Sequence, residues 1–141
     1  MRKEDVQSKL DLIPENLEKI EIFRAMSYEE FISDFRNIDS ALHRLQTSIQ
    51  ALVDIGGYII GSLGLRTPST SGEVIEILVE HGLLKIERRD RYISMIQFRN
   101  RIVHFYNTMN LKILYQILQN ELIDIREIYR EFIQIIEKNP E

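Results

Sequence analysis

The stretch ALHRLQTSIQALVDIGGYIIG, Ala41 to Gly61, decides the fold class. Its apolar residues Leu42, Leu45, Ile49, Leu52, Val53, Ile59 and Ile60 fall on one face of a 3.6-residue helix, and nothing in it alternates as a half-buried strand would. Upstream, the same stripe takes in Tyr28, Phe31, Ile32, Phe35 and Ile38. Ser27 with Glu30 three residues on forms a capping box, in which each side chain satisfies a backbone N–H of the first turn. The spacing therefore predicts one long helix from Tyr28 to about Ile60, with Gly56-Gly57 able to bend it near its end.

Helical spacing continues on both sides. Val6, Leu10, Ile13, Leu17, Ile20 and Phe23 make a first helix, and Pro14 within it predicts a kink or break near Ile13, because proline lacks the N–H that the helix needs. GLRTPSTSG, Gly64 to Gly72, is the clearest loop; Thr70 with Glu73 caps a short helix that stops at Gly82. A further helix is expected from about Lys85 to Tyr106, then a turn at NTMN. A last helix carries Leu111, Leu114, Leu118, Leu122, Ile125, Tyr129, Phe132 and Ile136 and ends at Asn139-Pro140. There is no repeat and no linker. The expectation is one all-α domain over residues 1–141, an up-and-down bundle of about five helices.

Composition narrows the function classes. With 141 residues, 44% hydrophobic and 28% charged, the chain can bury a core. A net charge of -4 means that nucleic acid must be held by a local patch and not by overall attraction. The absence of cysteine excludes disulfides, thiolate metal sites and a cysteine nucleophile. Three histidines, at 43, 81 and 104, show no metal-ligand spacing, so neither metal nor cofactor is expected. The start MRKEDVQSKL lacks the apolar core of a signal peptide, and no apolar run reaches the roughly 20 residues of a membrane span. A soluble, cytoplasmic protein is expected.

One segment does not fit a plain bundle. RNRIVHFYN, Arg99 to Asn107, puts polar and charged groups into an apolar helix. At about 100° per residue, Tyr92, Met95, Ile96, Ile102, Val103 and Tyr106 lie within about 60° of Arg99. Arg99 is thus centred on the apolar stripe, where an unpaired guanidinium costs several kcal/mol and needs a partner or a cavity. Asn100 and His104 share a flanking face. His104 stands about 140° from Arg99, so one helix cannot aim both at one small target, whereas two facing copies in a homodimer can.

Arg99, four residues, His104, one residue, Tyr106 matches the R-x4-H-x-Y signature of the HEPN superfamily, in its HepT toxin branch. Asn100 matches the polar residue that follows the arginine there. The framework from about Tyr28 to Ile136, with FRNRIVHFY, the loop bearing TPST and the closing ILQNELIDIREIYREFI, also resembles that family in order and spacing. Gln97 stands where a glycine is common, and His43 beside Arg44 where an acid is common. The resemblance implies a helical dimer that joins two motifs at its interface and cleaves RNA without metal. It also implies an MntA-like nucleotidyltransferase antitoxin that attaches AMP to the motif tyrosine, here Tyr106.

The residue types suit that chemistry. RNA carries its own nucleophile, the 2′-hydroxyl. Histidine as a residue type changes charge near neutrality, so His104 suits the proton exchange; Arg99 presents a permanent charged fork to phosphate; Asn100 can orient either. Five arginines against one aspartate between Arg88 and His104 make a local basic patch, so Arg88, Arg89, Arg91 and Arg101 are candidate RNA contacts. Structural readings stand beside these. Arg99 could be paired to a carboxylate of a neighbouring helix, His104 could serve the helix dipole, Tyr106 could be core, and RRDR could be a solvated face. The functional alternatives are a catalytically silent helical subunit that binds a nucleotidyltransferase or its substrate, and a helical dimer with no site.

Overall fold

In the computed structural model the described residues are 1–105 and 110–140, with 101–105 described by backbone alone. Seven α-helices are described: α1 Gln7–Arg24, α2 Tyr28–Ile32, α3 Phe35–Ser62, α4 Ser71–Glu80, α5 Arg89–Phe105, α6 Leu111–Asn120 and α7 Leu122–Lys138, with 3-10 turns at Lys3–Val6 and Ile86–Arg88. Polar contacts between helices give the directions. Lys9 with Asp54 and Asn16 with Ser48 set α1 antiparallel to α3. Arg126 with Glu21 and Lys3 with Glu137 set α7 antiparallel to α1, and Arg88 with Glu131 and Arg91 with Asp124 set α5 antiparallel to α7. The molecule is an up-and-down all-α bundle.

Both expected N-caps form, with the Glu73 carboxylate accepting from the Ser69 N–H one residue before the cap. The Ser27 side chain accepts from the Glu30 N–H at 3.1 Å, and that of Thr70 from the Glu73 N–H at 3.2 Å. Gly82, at φ +70°, closes the segment after α4 in the left-handed region that glycine tolerates. Five expected helices become seven because two of them divide. The stripe from Tyr28 breaks at Ser33-Asp34, where Asp34 turns extended (φ -136°, ψ 118°) and caps α3 by accepting from the Arg36 N–H at 2.9 Å. The seam from Leu111 to Ile136 breaks at Glu121 (φ -110°, ψ -3°), which ends α6 and begins α7.

Of the kink or break expected near Pro14, the break does not occur: α1 runs through it. Pro14 has no N–H to give the Leu10 carbonyl one turn earlier, and the Tyr129 hydroxyl of α7 donates to that carbonyl at 2.9 Å instead. Helix α3 likewise passes unbroken through Gly56-Gly57. Gly56 is there for closeness, since a Cβ at this position would lie 2.5 Å from Val74 Cγ1 of α4. The core draws on every long helix: Ile13 and Ile20, Leu45, Ile49, Leu52, Ile55 and Ile59, Ile75 and Leu78, Tyr92 and Ile96, Leu114 and Leu118, Ile128 and Phe132 are all buried. Three polar side chains are buried among the described residues, Asn16, Ser48 and Asp124, and the first two meet each other. Asn16 donates to Thr47 Oγ1 and Ser48 Oγ at 2.9 and 3.0 Å and accepts from Arg44 Nη1 at 3.0 Å, which fixes the register of α1 on α3.

Candidate functional site

Helix α5 carries Arg89, Arg91, Arg99, Asn100, Arg101 and His104 of the predicted site residues; Arg88 closes the turn just before it. Its apolar stripe packs inward: Tyr92, Met95, Ile96 and Phe98 are buried. Arg99 follows directly and is half-buried. Its Nη1 reaches Asn100 Oδ1 at 3.4 Å, the outer limit of a hydrogen bond, and its Nε is buried without a partner among the described residues. No described carboxylate pairs with it. The structural reading of Arg99 as a salt-bridged core arginine therefore has no partner among the described residues. Asn100 is half-buried beside it. The side chains of Arg101 and His104, and all of Tyr106 with most of the NTMN turn, lie outside the described residues.

The arginines at the other end of α5 are placed differently. Arg88 pairs with Glu131, whose Oε1 also accepts from the Tyr92 hydroxyl at 3.1 Å. Burial pushes that phenol up to about 12, so it remains a donor at any ordinary pH. Arg89 pairs with Glu76 of α4 and with Asp90, and Arg91 with Asp124 and Glu127 at 3.1 and 3.3 Å. Burial raises the Asp124 carboxyl above the ordinary range, against the opposing pull of Arg91. Three of the four arginines expected to contact RNA thus already hold carboxylates. The signal that could have found these partners was in the sequence. Asp124, Glu127 and Glu131 recur at three and four residues, an acidic row on α7 that faces Arg88 and Arg91.

His43 and His81 are exposed on separate elements. Among the described residues no three His, Cys, Asp or Glu side chains cluster as a metal ion would need, and no helix is long and apolar enough to cross a membrane.

Known proteins resemble this chain in sequence and fold. The chain is 30% identical over 107 residues to the mRNA nuclease HepT of Shewanella oneidensis, a match covering 76% of this chain and 77% of that protein. It is 25% identical to the tRNA nuclease HepT of Aphanizomenon flos-aquae, over 95% of this chain and 94% of the relative. Its fold superposes with a TM-score of 0.79 and 26% identity on a solved structure of the tri-AMPylated Shewanella oneidensis HEPN toxin in complex with MNT antitoxin, covering 95% of this chain and 97% of that one. The family model described as ribonuclease HepT-like matches residues 13–132. With that span, the R-x4-H-x-Y motif in place and the same helical fold, the chain belongs to the HepT-like ribonuclease family of HEPN proteins.

Proposed function

We propose that this chain is the ribonuclease toxin of a toxin–antitoxin pair whose antitoxin is an MntA-like nucleotidyltransferase. The names of its relatives support the coarse reading: two are HepT nucleases of mRNA and tRNA, and one was solved with its MNT antitoxin. The observation that carries the reading to the residues is Arg99. It sits at the end of a buried stripe with its Nε unsatisfied and no described carboxylate to neutralise it. A guanidinium kept in that state is suited to an anion that arrives from outside, and a phosphodiester offers two oxygens to its fork.

The proposed reaction is metal-independent. One His104 takes the proton of a 2′-hydroxyl, the oxygen attacks the adjacent phosphorus, Arg99 holds the charge that builds on the phosphoryl oxygens, and a second His104 protonates the departing 5′-oxygen. Asn100, within reach of Arg99 Nη1, orients the guanidinium or the substrate. The wide angle between positions 99 and 104 on one helix supports a homodimer in which each cleft draws on both chains. Arg101, on the same turn, is the candidate for further phosphate contact. Arg88, Arg89 and Arg91 contribute there to the extent that phosphates replace their carboxylates.

Tyr106 falls about 20° from Arg99 on an ideal helix, two turns on. AMP attached to its hydroxyl would set an anion beside Arg99 and fill the space that RNA needs. The AMPylated state of the solved relative supports this form of silencing.

The test is RNA cleavage by the purified protein in excess chelator. Wild type should cut, and both Arg99→Ala and His104→Ala should not. A requirement for added divalent metal, or cleavage surviving both substitutions, overturns the mechanism. Incubation with the cognate nucleotidyltransferase and ATP should add one or more AMP units to wild type and none to Tyr106→Phe. An equal mass shift in both would move the modification elsewhere.

A further inference from the structure

We propose that a cavity at the end of α5 remote from the motif binds a small organic phosphate of about the size of a nucleoside monophosphate. The cavity is about 500 Å³, a volume suited to such a ligand, and lies between the α4–α5 connection and the C-terminal half of α7. Lys85, Arg88, Arg130 and Lys138 line it together with Glu127 and Glu131. Glu127 is engaged by Arg91 and Glu131 through its Oε1 by Arg88 and Tyr92, while Glu131 Oε2 is buried without a hydrogen-bond partner. Lys85, Arg130 and Lys138 have no carboxylate partner among the described residues. All three are exposed, and together they make a local positive patch around one recess on a chain of net charge -4, where an anion is attracted. A phosphate monoester, with close to two negative charges and three strong acceptor oxygens, matches that set.

The surroundings favour an ester over bare phosphate. Arg130 and Gln134 also line the adjoining cleft between α1 and α7, about 610 Å³, whose walls include Leu17 and Ile133. A phosphate seated among the three cations leaves an organic group next to that apolar wall. The site is separate from the motif, since Arg88 precedes Arg99 by eleven residues, about 16 Å along the helix axis.

Calorimetric titration of the wild-type protein with AMP, adenosine and inorganic phosphate tests this independently of RNA cleavage. AMP should bind saturably, inorganic phosphate should compete more weakly, and adenosine should not bind. The triple variant Lys85→Ala, Arg130→Ala, Lys138→Ala should weaken AMP at least about tenfold while its melting temperature and RNA cleavage stay at wild-type values. Arg99→Ala should bind AMP as wild type does. The proposal is overturned by any of three results: no saturable AMP binding at millimolar concentration, equal binding of adenosine, or AMP affinity that survives the triple variant and disappears in Arg99→Ala.

Discussion

The two halves of α5 use the same residue in opposite ways. In the first turn and just before it, Arg88, Arg89 and Arg91 each reach a carboxylate on α4, α5 or α7. Toward the other end, Arg99 lies beside buried Phe98 with its Nε unsatisfied and no described carboxylate in reach. By density of charge, the first group looks like the nucleic-acid patch and Arg99 looks like the misplaced residue. By contact, the first group is structural and Arg99 is the one left for a ligand. An arginine whose charge is already matched gains little from a phosphate, because it must first give up a carboxylate. An arginine held without a partner gains the whole interaction.

The largest expected effect tests that contrast directly. Arg99→Ala should lower the rate of RNA cleavage at least about a hundredfold, the scale of losing a group that stabilises transition-state charge, with little change in melting temperature. Arg89→Ala removes a cation 39% exposed and already shared between Glu76 and Asp90. It should change the rate by less than about threefold, within the few tenths of a kcal/mol typical of an exposed pair. Single-turnover cleavage of one RNA by both variants decides it. Comparable losses would mean that the paired arginines also serve RNA.

The reciprocal effect is on stability. Arg88 and Glu131 are mostly buried, and Tyr92 donates to the same carboxylate oxygen. Arg88→Ala leaves Glu131 without its cation, and Glu131 Oε2 is already buried without a hydrogen-bond partner. The cost should be about 1–3 kcal/mol, seen as a melting temperature lower by several degrees. Glu131→Gln in the same background should recover part of it, because the neutral amide still accepts from Tyr92. A variant as stable as wild type would show that the half of α5 read here as structural is not.

The same contrast explains what the sequence could reveal. Local signals were legible where the physics is local. The two N-caps, the glycine at 82 and the helical stripes each depend on residues within a turn or two. The divisions at Asp34 and Glu121 were not, because the apolar stripe continues across both and hides the interruption of the helix. At Pro14 the sequence left a kink or a break open, and the helix continues without a break because a distant hydroxyl, that of Tyr129, takes the orphaned carbonyl. At the site, the oddity of Arg99 was legible from periodicity alone. The tying-up of Arg88, Arg89 and Arg91 was not read, since their partners lie 13 to 43 residues away apart from Asp90. A row of acids on one helix becomes a partner only once the helices are known to be adjacent.

The smallest expected effect asks whether the matched end of α5 is stabilised by its charges or merely satisfied by them. Asp124 is buried in the first turn of α7 and accepts from Arg91. Burial raises its carboxyl above the ordinary value, so the folded chain holds that proton more tightly than the unfolded chain does. The sign follows. The group's contribution is fully present below the ordinary carboxylate pKa, about 4, and is lost as pH rises through the folded value. At neutral pH the ionised Asp124 is therefore a modest net cost, even with Arg91 in place. Asp124→Asn keeps an oxygen for the Arg91 N–H and removes the buried charge, while giving up a favourable interaction with the positive end of the helix. The two should nearly cancel, leaving the variant within about 1 kcal/mol of wild type at pH 7. The difference should shift toward the variant as pH rises from about 4. Urea denaturation across that range measures it. A loss well beyond 1 kcal/mol at neutral pH would make the Arg91–Asp124 pair a true stabilising contact, and would deepen the contrast with the arginine that has none.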